Sequence, residues 1–411
     1  MDLKSKVFKL ADWLLYWAII AIPFVASFSS AAVQSFVGVA VSSFLIKKFI
    51  SRERWFNSRF LAVPFILLVL FSLLSIFNSV SMRASIQGIT KLVKYGLVLF
   101  IIAGEIKDRR HFKRVIIAIL AGLVLSSLDG IYQFIFGVDF FRHKPYDTII
   151  GLIRLKAAFP HTNIFAGYLA LFVPVAVPLF FYGAKGKKKI ALGAVLSLAV
   201  FCLIYTFSRS AAFGFWFVLL AMGLIKRDRA FTAIMVLLML ITPFLAPKNI
   251  KDWSKTVSSF SKLLLNKERL VLNETSFNMI RRHPLIGVGV NTYVLNYQQY
   301  KLHDTSEDTA DTGWYAHNSY LQMASEIGIF GLFSFLWLMI LLLVKWVKFY
   351  RLNKDDLFGL CSLGILMGLI AFLINGLTET NLYYPKIAIL FWYQAGLLSC
   401  ILRLGKARGE H

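Results

Sequence analysis

The chain has 411 residues, of which 58% are hydrophobic and 15% aromatic, and a formal net charge of +24 at pH 7. This apolar fraction is far above that of an ordinary soluble domain, so the composition excludes one and indicates a membrane protein. The three cysteines, Cys202, Cys361 and Cys400, lie inside apolar runs, which excludes a disulfide framework or a cysteine zinc site.

Apolar runs long enough to cross a hydrocarbon core of about 30 Å recur from end to end. The first lacks a small-residue cleavage site followed by a soluble domain, so it is predicted as a spanning helix and not as a cleaved signal. The predicted spans in chain order are 13–29, 31–46, 60–78, 85–104, 115–136, 160–182, 190–207, 210–225, 230–246, 319–344, 357–376 and 385–403. The fold class is therefore an all-α integral membrane protein with about twelve transmembrane helices.

Basic clusters alternate with loops that contain few lysines and arginines. Segments such as KKFISRERWFNSR, KDRRHFKR and KGKKK fall on one side of the predicted helices, whereas LTETNLYY, on the other side, contains no basic residue. Because positively charged loops resist translocation, both termini are predicted to be cytoplasmic. The same asymmetry explains most of the net charge, so membrane lipids are expected around the chain and a nucleic-acid partner is not.

One predicted outside segment is much longer than the others. Residues 247–318 form a polar loop that separates residues 1–246, with the first nine spans, from residues 319–411, with the last three spans and a cytoplasmic C-terminus. A loop of this length is expected to contain structure of its own and to carry function.

Short helices are predicted inside this loop. ERLVLNETSFNMIRRHP forms one helix that ends at Pro284, and Asn291 is expected to cap another through TYVLNYQQY. An acidic run, HDTSEDTAD, is interpreted as a solvated loop tip. Apolar side chains at helical spacing predict a further helix on the membrane surface: Trp253, Val257, Phe260 and Leu264.

The stretch HNSYLQMASEIGIFG joins the polar loop to the tenth predicted span, and its first residue is His317. At 100° per residue, small residues including Gly328 and Gly331 share the side of the histidine, which favours close packing against another helix. The positive end of a helix dipole favours a neutral imidazole, as a general base requires. Helix capping or loop hydrogen bonding is the alternative role for His317, and packing or hydrogen bonding is expected for Glu326.

Three further segments accompany HNSYLQMASEIGIFG: RLVLNETSFNMIRRHPLIGVGVNTY, FPHTNIFAGYLAL and TFSRSAAFGF. The order and spacing of these four segments, together with the single large loop, resemble the pattern of the bacterial O-antigen ligase and polymerase superfamily. This superfamily also includes protein O-oligosaccharyltransferases. The similar features are a His-Asn…Glu-x-Gly-x-x-Gly signature, a loop arginine followed by Pro-x-x-Gly-x-Gly, a Pro/Asn-x-x-Ala segment and a Ser-Arg turn.

The resemblance implies a GT-C-like fold with a large periplasmic helical loop and glycan transfer from undecaprenyl diphosphate at the outer face of the bacterial inner membrane. It implies that His317 is the essential histidine and that Arg209 and Arg269 bind the diphosphate. Secondary candidates are Arg281, Arg282 and Asn318, with lipid anchoring the alternative for the two arginines. No metal or other cofactor is expected, because the outer segments contain no paired-carboxylate motif.

The leading hypothesis is an O-antigen ligase that transfers a polysaccharide, with inversion, to a sugar hydroxyl of lipid A–core. An O-antigen polymerase, whose acceptor is a second lipid-linked repeat, and a protein O-oligosaccharyltransferase are alternatives with the same donor. A lipid or glycan transporter is a more remote alternative. It predicts internal repeats or paired broken helices, and the sequence shows neither.

Overall fold

The computed structural model describes residues 3–52, 55, 58–149, 151–245, 267–302 and 315–406. An antiparallel hairpin of two short strands, β1 (Asp147–Ile149) and β2 (Leu152–Arg154), precedes α6. The helices in these ranges are α1 (Leu3–Val25), α2 (Ser30–Ser51), α3 (Arg59–Leu74), α4 (Met82–Glu105), α5 (Arg109–Phe136), α6 (Thr162–Pro178), α7 (Gly186–Tyr205), α8 (Arg209–Lys226), α9 (Arg229–Leu245), α10 (Lys267–Arg282), α11 (Tyr293–Tyr300), α12 (Ser319–Leu352), α13 (Leu357–Asn375) and α14 (Pro385–Lys406).

Within the described ranges, 11 helical segments are long and apolar enough to cross a membrane. The prediction of an all-α, multi-pass membrane protein is therefore confirmed. The predicted ninth span corresponds to α9, which is apolar but has only 17 residues. Helix α12 has 34 residues and continues past the predicted end at residue 344, because helical structure extends beyond the purely apolar stretch into a basic segment.

Helices α6, α13 and α14 form the buried centre of the bundle. Glycines let α13 approach α6 closely: a Cβ at Gly364 would lie 2.7 Å from the carbonyl oxygen of Pro174, and one at Gly368 would lie 2.1 Å from that of Leu171. Spacing by four residues puts both glycines on one face of α13, where small side chains permit backbone contact between helices.

The helix that follows His317 is interrupted at Gly328, which has a φ of 75°. A loop fills the break, because the N–H of Ile329 donates to the carbonyl of Pro284 at 2.9 Å and the N–H of Gly289 donates to that of Glu326 at 3.0 Å. A Cβ at Gly328 would lie 2.1 Å from the carbonyl oxygen of Leu285. The close contact expected at Gly328 is therefore made with a loop, whereas the sequence predicted contact with another helix.

The carboxylate of Glu326 anchors the same loop from inside the bundle. It accepts hydrogen bonds from the N–H groups of Asn291 and Tyr293, at 2.7 and 3.2 Å. Asn291 was predicted to cap α11, but Thr292 precedes that helix, and the Asn291 side chain donates to the carbonyl of Ala84 at 3.1 Å. Glu326 thus has the hydrogen-bonding role expected for it, and it ties the loop to α12.

Of the predicted loop at 247–318, the structure describes residues 267–302 and 315–318. The predicted helix ending at Pro284 is α10, and the one through TYVLNYQQY is α11. The predicted surface helix from Trp253 to Leu264 and the acidic run HDTSEDTAD lie outside the described residues.

Candidate active site

His317 lies in a bend directly before α12, with its backbone in the left-handed region at a φ of 45°. This conformation is uncommon for a residue with a side chain and costs on the order of 1 kcal/mol or more, so the surrounding structure must hold it. The side-chain oxygen of Asn318 accepts from the N–H groups of Tyr320 and Leu321, both at 3.0 Å. Asn318 therefore caps α12, and this capping role does not fall to His317.

Glu379 is the acidic neighbour of His317, with its Oε2 atom 3.5 Å from Nδ1 of the imidazole. Only 9% of the Glu379 side chain is exposed, against 33% for His317. Two bonds from Ser319 join their backbones, because its N–H donates to the carbonyl of Gly376 at 2.8 Å and its hydroxyl donates to that of Glu379 at 2.7 Å. The start of α12 and the segment between α13 and α14 therefore position the pair together.

Arg269 approaches the other oxygen of the same carboxylate. A terminal guanidinium nitrogen lies 3.7 Å from Oε1 of Glu379, and 31% of the arginine side chain is exposed. The arginine belongs to the first turn of α10, which packs against α12, where the hydroxyl of Ser325 donates to the carbonyl of Ser276 at 3.2 Å. The large loop thus brings its arginine to the start of α12.

Arg209 is the first residue of α8 and follows a tight turn in which Phe207 has a φ of 49°. It lies within electrostatic range of Arg269 and of Arg154, whose positive charges repel its own. The structure therefore brings the three predicted residues, His317, Arg209 and Arg269, to one end of the bundle.

A comparison with known protein families finds a match over a region that includes these three residues. Residues 192–336 match the sequence model of the O-antigen ligase family. This region, about a third of the chain, is therefore similar to the O-antigen ligase domain. The match includes Arg209, Arg269 and His317, and it confirms the resemblance inferred from the motifs. No curated protein matches the chain.

Two residues that precede the matched ligase domain complete the site. The side-chain N–H of Asn163 donates to Oε1 of Glu379 at 2.7 Å, and its oxygen accepts from Arg154 at 3.1 Å. Nε of Arg154 also donates to the carbonyl of Thr206 at 3.0 Å. Burial lowers the pKa of Arg154, and the charges of Asp147 and Glu379 oppose that shift, so the guanidinium stays charged.

Arg281 and Arg282 lie away from this cluster, in the last turn of α10. Twelve residues separate Arg281 from Arg269, which corresponds to about 18 Å along the helix. The guanidinium of Arg282 lies over the ring of Tyr300, 5.4 Å from its centre. The structure therefore does not bring these two secondary candidates to the ligase-domain histidine, and it uses the third, Asn318, as a helix cap.

Sequence reasoning missed Glu379, Asn163 and Arg154 as members of the site. LTETNLYY, which contains Glu379, is distinguished in the sequence by its lack of basic residues, and neither Asn163 nor Arg154 is among the candidate site residues that the motifs indicate. A lone carboxylate in so short an outer loop was the available signal for Glu379. Nothing in the sequence pattern indicated the contact between Asn163 and Glu379, which lie 216 residues apart.

The site combines one candidate base with an excess of positive charge. Arg154 and Arg269 lie near Glu379, and Arg209 lies near both arginines, so the cluster is suited to an anionic ligand such as a diphosphate. Among the described residues, no group of three or more histidines, cysteines or acids is arranged to hold a metal ion.

Proposed function

We propose that the chain is an O-antigen ligase that transfers a polysaccharide from undecaprenyl diphosphate to a sugar hydroxyl of lipid A–core. The proposal is supported by the position of His317 and Arg269 on either oxygen of Glu379, with Arg209 within electrostatic range of Arg269, in and beside the matched residues 192–336. A base next to an anion-binding cluster is what glycosyl transfer from a lipid diphosphate requires. The proposed architecture is GT-C-like. Residues 247–318 form the proposed periplasmic loop, which connects the transmembrane regions 1–246 and 319–411.

His317 is the proposed general base. Glu379 faces Nδ1, so the proton is assigned to Nδ1 and the other ring nitrogen, Nε2, is the one that accepts a proton from the acceptor hydroxyl. The separation of 3.5 Å is long for a hydrogen bond, as is common for catalytic pairs before the substrate binds. The acceptor oxygen then attacks the anomeric carbon from the side opposite the diphosphate, which inverts its configuration.

The arginines are the proposed binding site for the leaving group. As the bond between the anomeric carbon and the phosphate oxygen breaks, its electron pair remains on the diphosphate. The forked guanidinium groups of Arg209 and Arg269 donate two parallel hydrogen bonds to phosphate oxygens and remain charged at any physiological pH. Since they supply the positive charge that the leaving group needs, the proposed reaction is independent of metal ions.

The proposed location is the inner membrane, with the site in the periplasm and both termini in the cytoplasm. The end of the bundle opposite His317 carries basic residues that fit a cytoplasmic face, including Lys47, Lys107 and Lys226. The two lipid partners, the glycan donor and the lipid A–core acceptor, would then meet at the periplasmic surface.

The test is reconstitution of the purified protein with an undecaprenyl-diphosphate-linked polysaccharide and isolated lipid A–core. A conjugate of the two is expected, and it should form equally well in excess EDTA. Elongated lipid-linked chains without conjugate would replace the ligase with a polymerase, and glycosylation of an added acceptor protein would indicate an oligosaccharyltransferase. Movement of intact lipid-linked glycan across the vesicle membrane, without any product, would favour a transporter.

A further inference from the structure

We infer that Asn163 and Arg154 are positioning residues for the proposed transfer: together they hold Glu379 in the orientation that directs His317. The inference rests on the proposed function and adds to it two residues from outside the matched ligase domain, at the start of α6 and on the β1–β2 hairpin.

Among the described residues, Asn163 makes a shorter contact with the Glu379 carboxylate than His317 or Arg269 does. The donor–acceptor distance is 2.7 Å for Asn163, against 3.7 Å for Arg269 and 3.5 Å for His317. A hydrogen bond to an ionised carboxylate is about twice as strong as a neutral one, and it weakens steeply as the distance grows. Asn163 therefore determines where the carboxylate lies. The side chains of Arg269 and His317 take their positions relative to that carboxylate.

Arg154 decides which way the amide of Asn163 faces. An amide has a donor end and an acceptor end of nearly equal size, whereas a guanidinium only donates. Because Arg154 donates to the oxygen of Asn163, the NH₂ group must point to Glu379. Without Arg154 the amide could rotate by 180° and present its oxygen to the carboxylate, which would repel it.

Arg154 is itself fixed by the turn that carries a donor-binding residue. Its Nε donates to the carbonyl of Thr206, at the end of α7 and three residues before Arg209. A hydrogen-bonded series therefore runs from the Ser-Arg turn through Arg154 and Asn163 to Glu379. One series of hydrogen bonds therefore joins the turn before Arg209 to the carboxylate that faces His317.

Helix capping does not explain Asn163. His161 occupies the N-cap position of α6, and no side chain there caps the helix. The amide of Asn163 instead has its donor on Glu379 and its acceptor on Arg154. Its neighbour Thr162 offers a matched comparison, since its hydroxyl makes a similar bond, at 2.9 Å, to a different carboxylate, Asp147.

The test compares transfer by Asn163→Ala with transfer by Thr162→Val, each with its thermal unfolding midpoint. Asn163→Ala is expected to lower kcat by about 10- to 100-fold, as small misplacements of catalytic groups do, with little change in either KM. Thr162→Val, which removes a comparable hydrogen bond without touching Glu379, is expected to stay within about twofold of wild type.

A double-mutant cycle shows whether Asn163 acts through Glu379. In a Glu379→Gln background, Asn163→Ala should cause no further loss of kcat, and Arg154→Lys, which keeps the positive charge, should cause none in an Asn163→Ala background. Independent, multiplying losses would overturn the inference, since they are what a general structural role predicts.

The tautomer of His317 provides a measurement that does not depend on transfer. In protein labelled with ¹⁵N-histidine, with His317→Gln used for assignment, the wild type should show the proton on Nδ1, and Asn163→Ala should show a mixture of tautomers. An unchanged tautomer in Asn163→Ala would refute the positioning role. If the tautomer shifts but the wild type transfers no glycan, the positioning role stands and the proposed function fails.

Discussion

The two ends of the bundle handle buried charge differently. At the end opposite His317, Nζ of Lys47 lies 2.5 Å from both Asp12 and Glu105, and Lys48 lies 3.3 Å from Glu105. At the His317 end, one carboxylate is shared among several neighbours, and its contacts with His317 and Arg269 are 3.5 and 3.7 Å.

This difference separates charges that hold the fold from charges that are available to a substrate. The Lys47 side chain is 2% exposed and its contacts are short, so the group is fully committed to its partners. The side chains of His317 and Arg269 are about one-third exposed, and their contacts with Glu379 are longer than those of Lys47 with its two acids. The longer contacts of His317 and Arg269 suit groups that rearrange around an anionic ligand, because a guanidinium can bind phosphate oxygens through two parallel hydrogen bonds.

The largest expected effect is the loss of the base. His317→Gln should lower transfer by about 100- to 10,000-fold, the usual contribution of a general base, while the unfolding midpoint changes little because the side chain is partly exposed. The measurement is conjugate formation by reconstituted protein. His161→Gln is the control, because this exposed histidine lies at the same end but outside the Glu379 cluster. Undiminished transfer by His317→Gln would refute the mechanism.

The second-largest effect is expected when the guanidinium group of Arg269 is replaced. Arg269→Lys keeps the charge but removes the two parallel hydrogen bonds, so transfer should fall by about 100-fold, within the range seen when one charge-stabilising group is removed. Arg281→Lys, about 18 Å away on the same helix, should be near wild type. Equal losses in the two variants would show that α10 binds anions along its whole length, and the comparison between the site and its surroundings would then be wrong.

At the opposite end, Lys47→Met should affect stability and leave the chemistry unchanged. Removing the lysine leaves Glu105 buried and less compensated, at a cost of about 3 kcal/mol in the free energy of unfolding. Transfer per folded molecule should be unchanged, because Lys47 lies far from His317. Unfolding in detergent and conjugate formation measure the two effects separately. Lys47→Met/Glu105→Gln should recover part of the stability, and no recovery would argue against the charge explanation.

The smallest expected effect concerns the break in α12. Gly328→Ala places a methyl group against the carbonyl of Leu285 and forces a non-glycine residue to a φ of 75°, so it should destabilise the protein by about 2 kcal/mol. Any loss of transfer should result from a shift in the position of Arg269 when the loop is displaced. Gly137→Ala is the control that isolates the cost of a positive φ, because that glycine has a φ of 84° and an added Cβ would meet no neighbouring atom. Equal unfolding midpoints for the two variants would show that the contact with Leu285 contributes nothing.

Most of the membrane helices were predictable because hydrophobic length is a local property. A run such as Leu357–Asn375 has to be helical in a membrane, since its backbone polar groups have no other partner there. The break at Gly328 was not predictable, because a glycine at helical spacing is compatible with close helix packing and with an interruption. The loop at Leu285, more than forty residues earlier in the chain, decides between them.

The sequence by itself determined the membrane class and most of the spanning helices, and its motifs indicated the resemblance to O-antigen ligases and the candidate residues His317, Arg209 and Arg269. These follow from composition and from short motifs, in which all the informative residues are neighbours in the chain. Only the tertiary structure decided that Glu379 lies beside His317 and that Asn163, 216 residues from Glu379, holds it. Such contacts depend on how α6, α12 and α13 pack together, and helix packing is set by side chains distant in sequence, for which a single chain carries no local pattern.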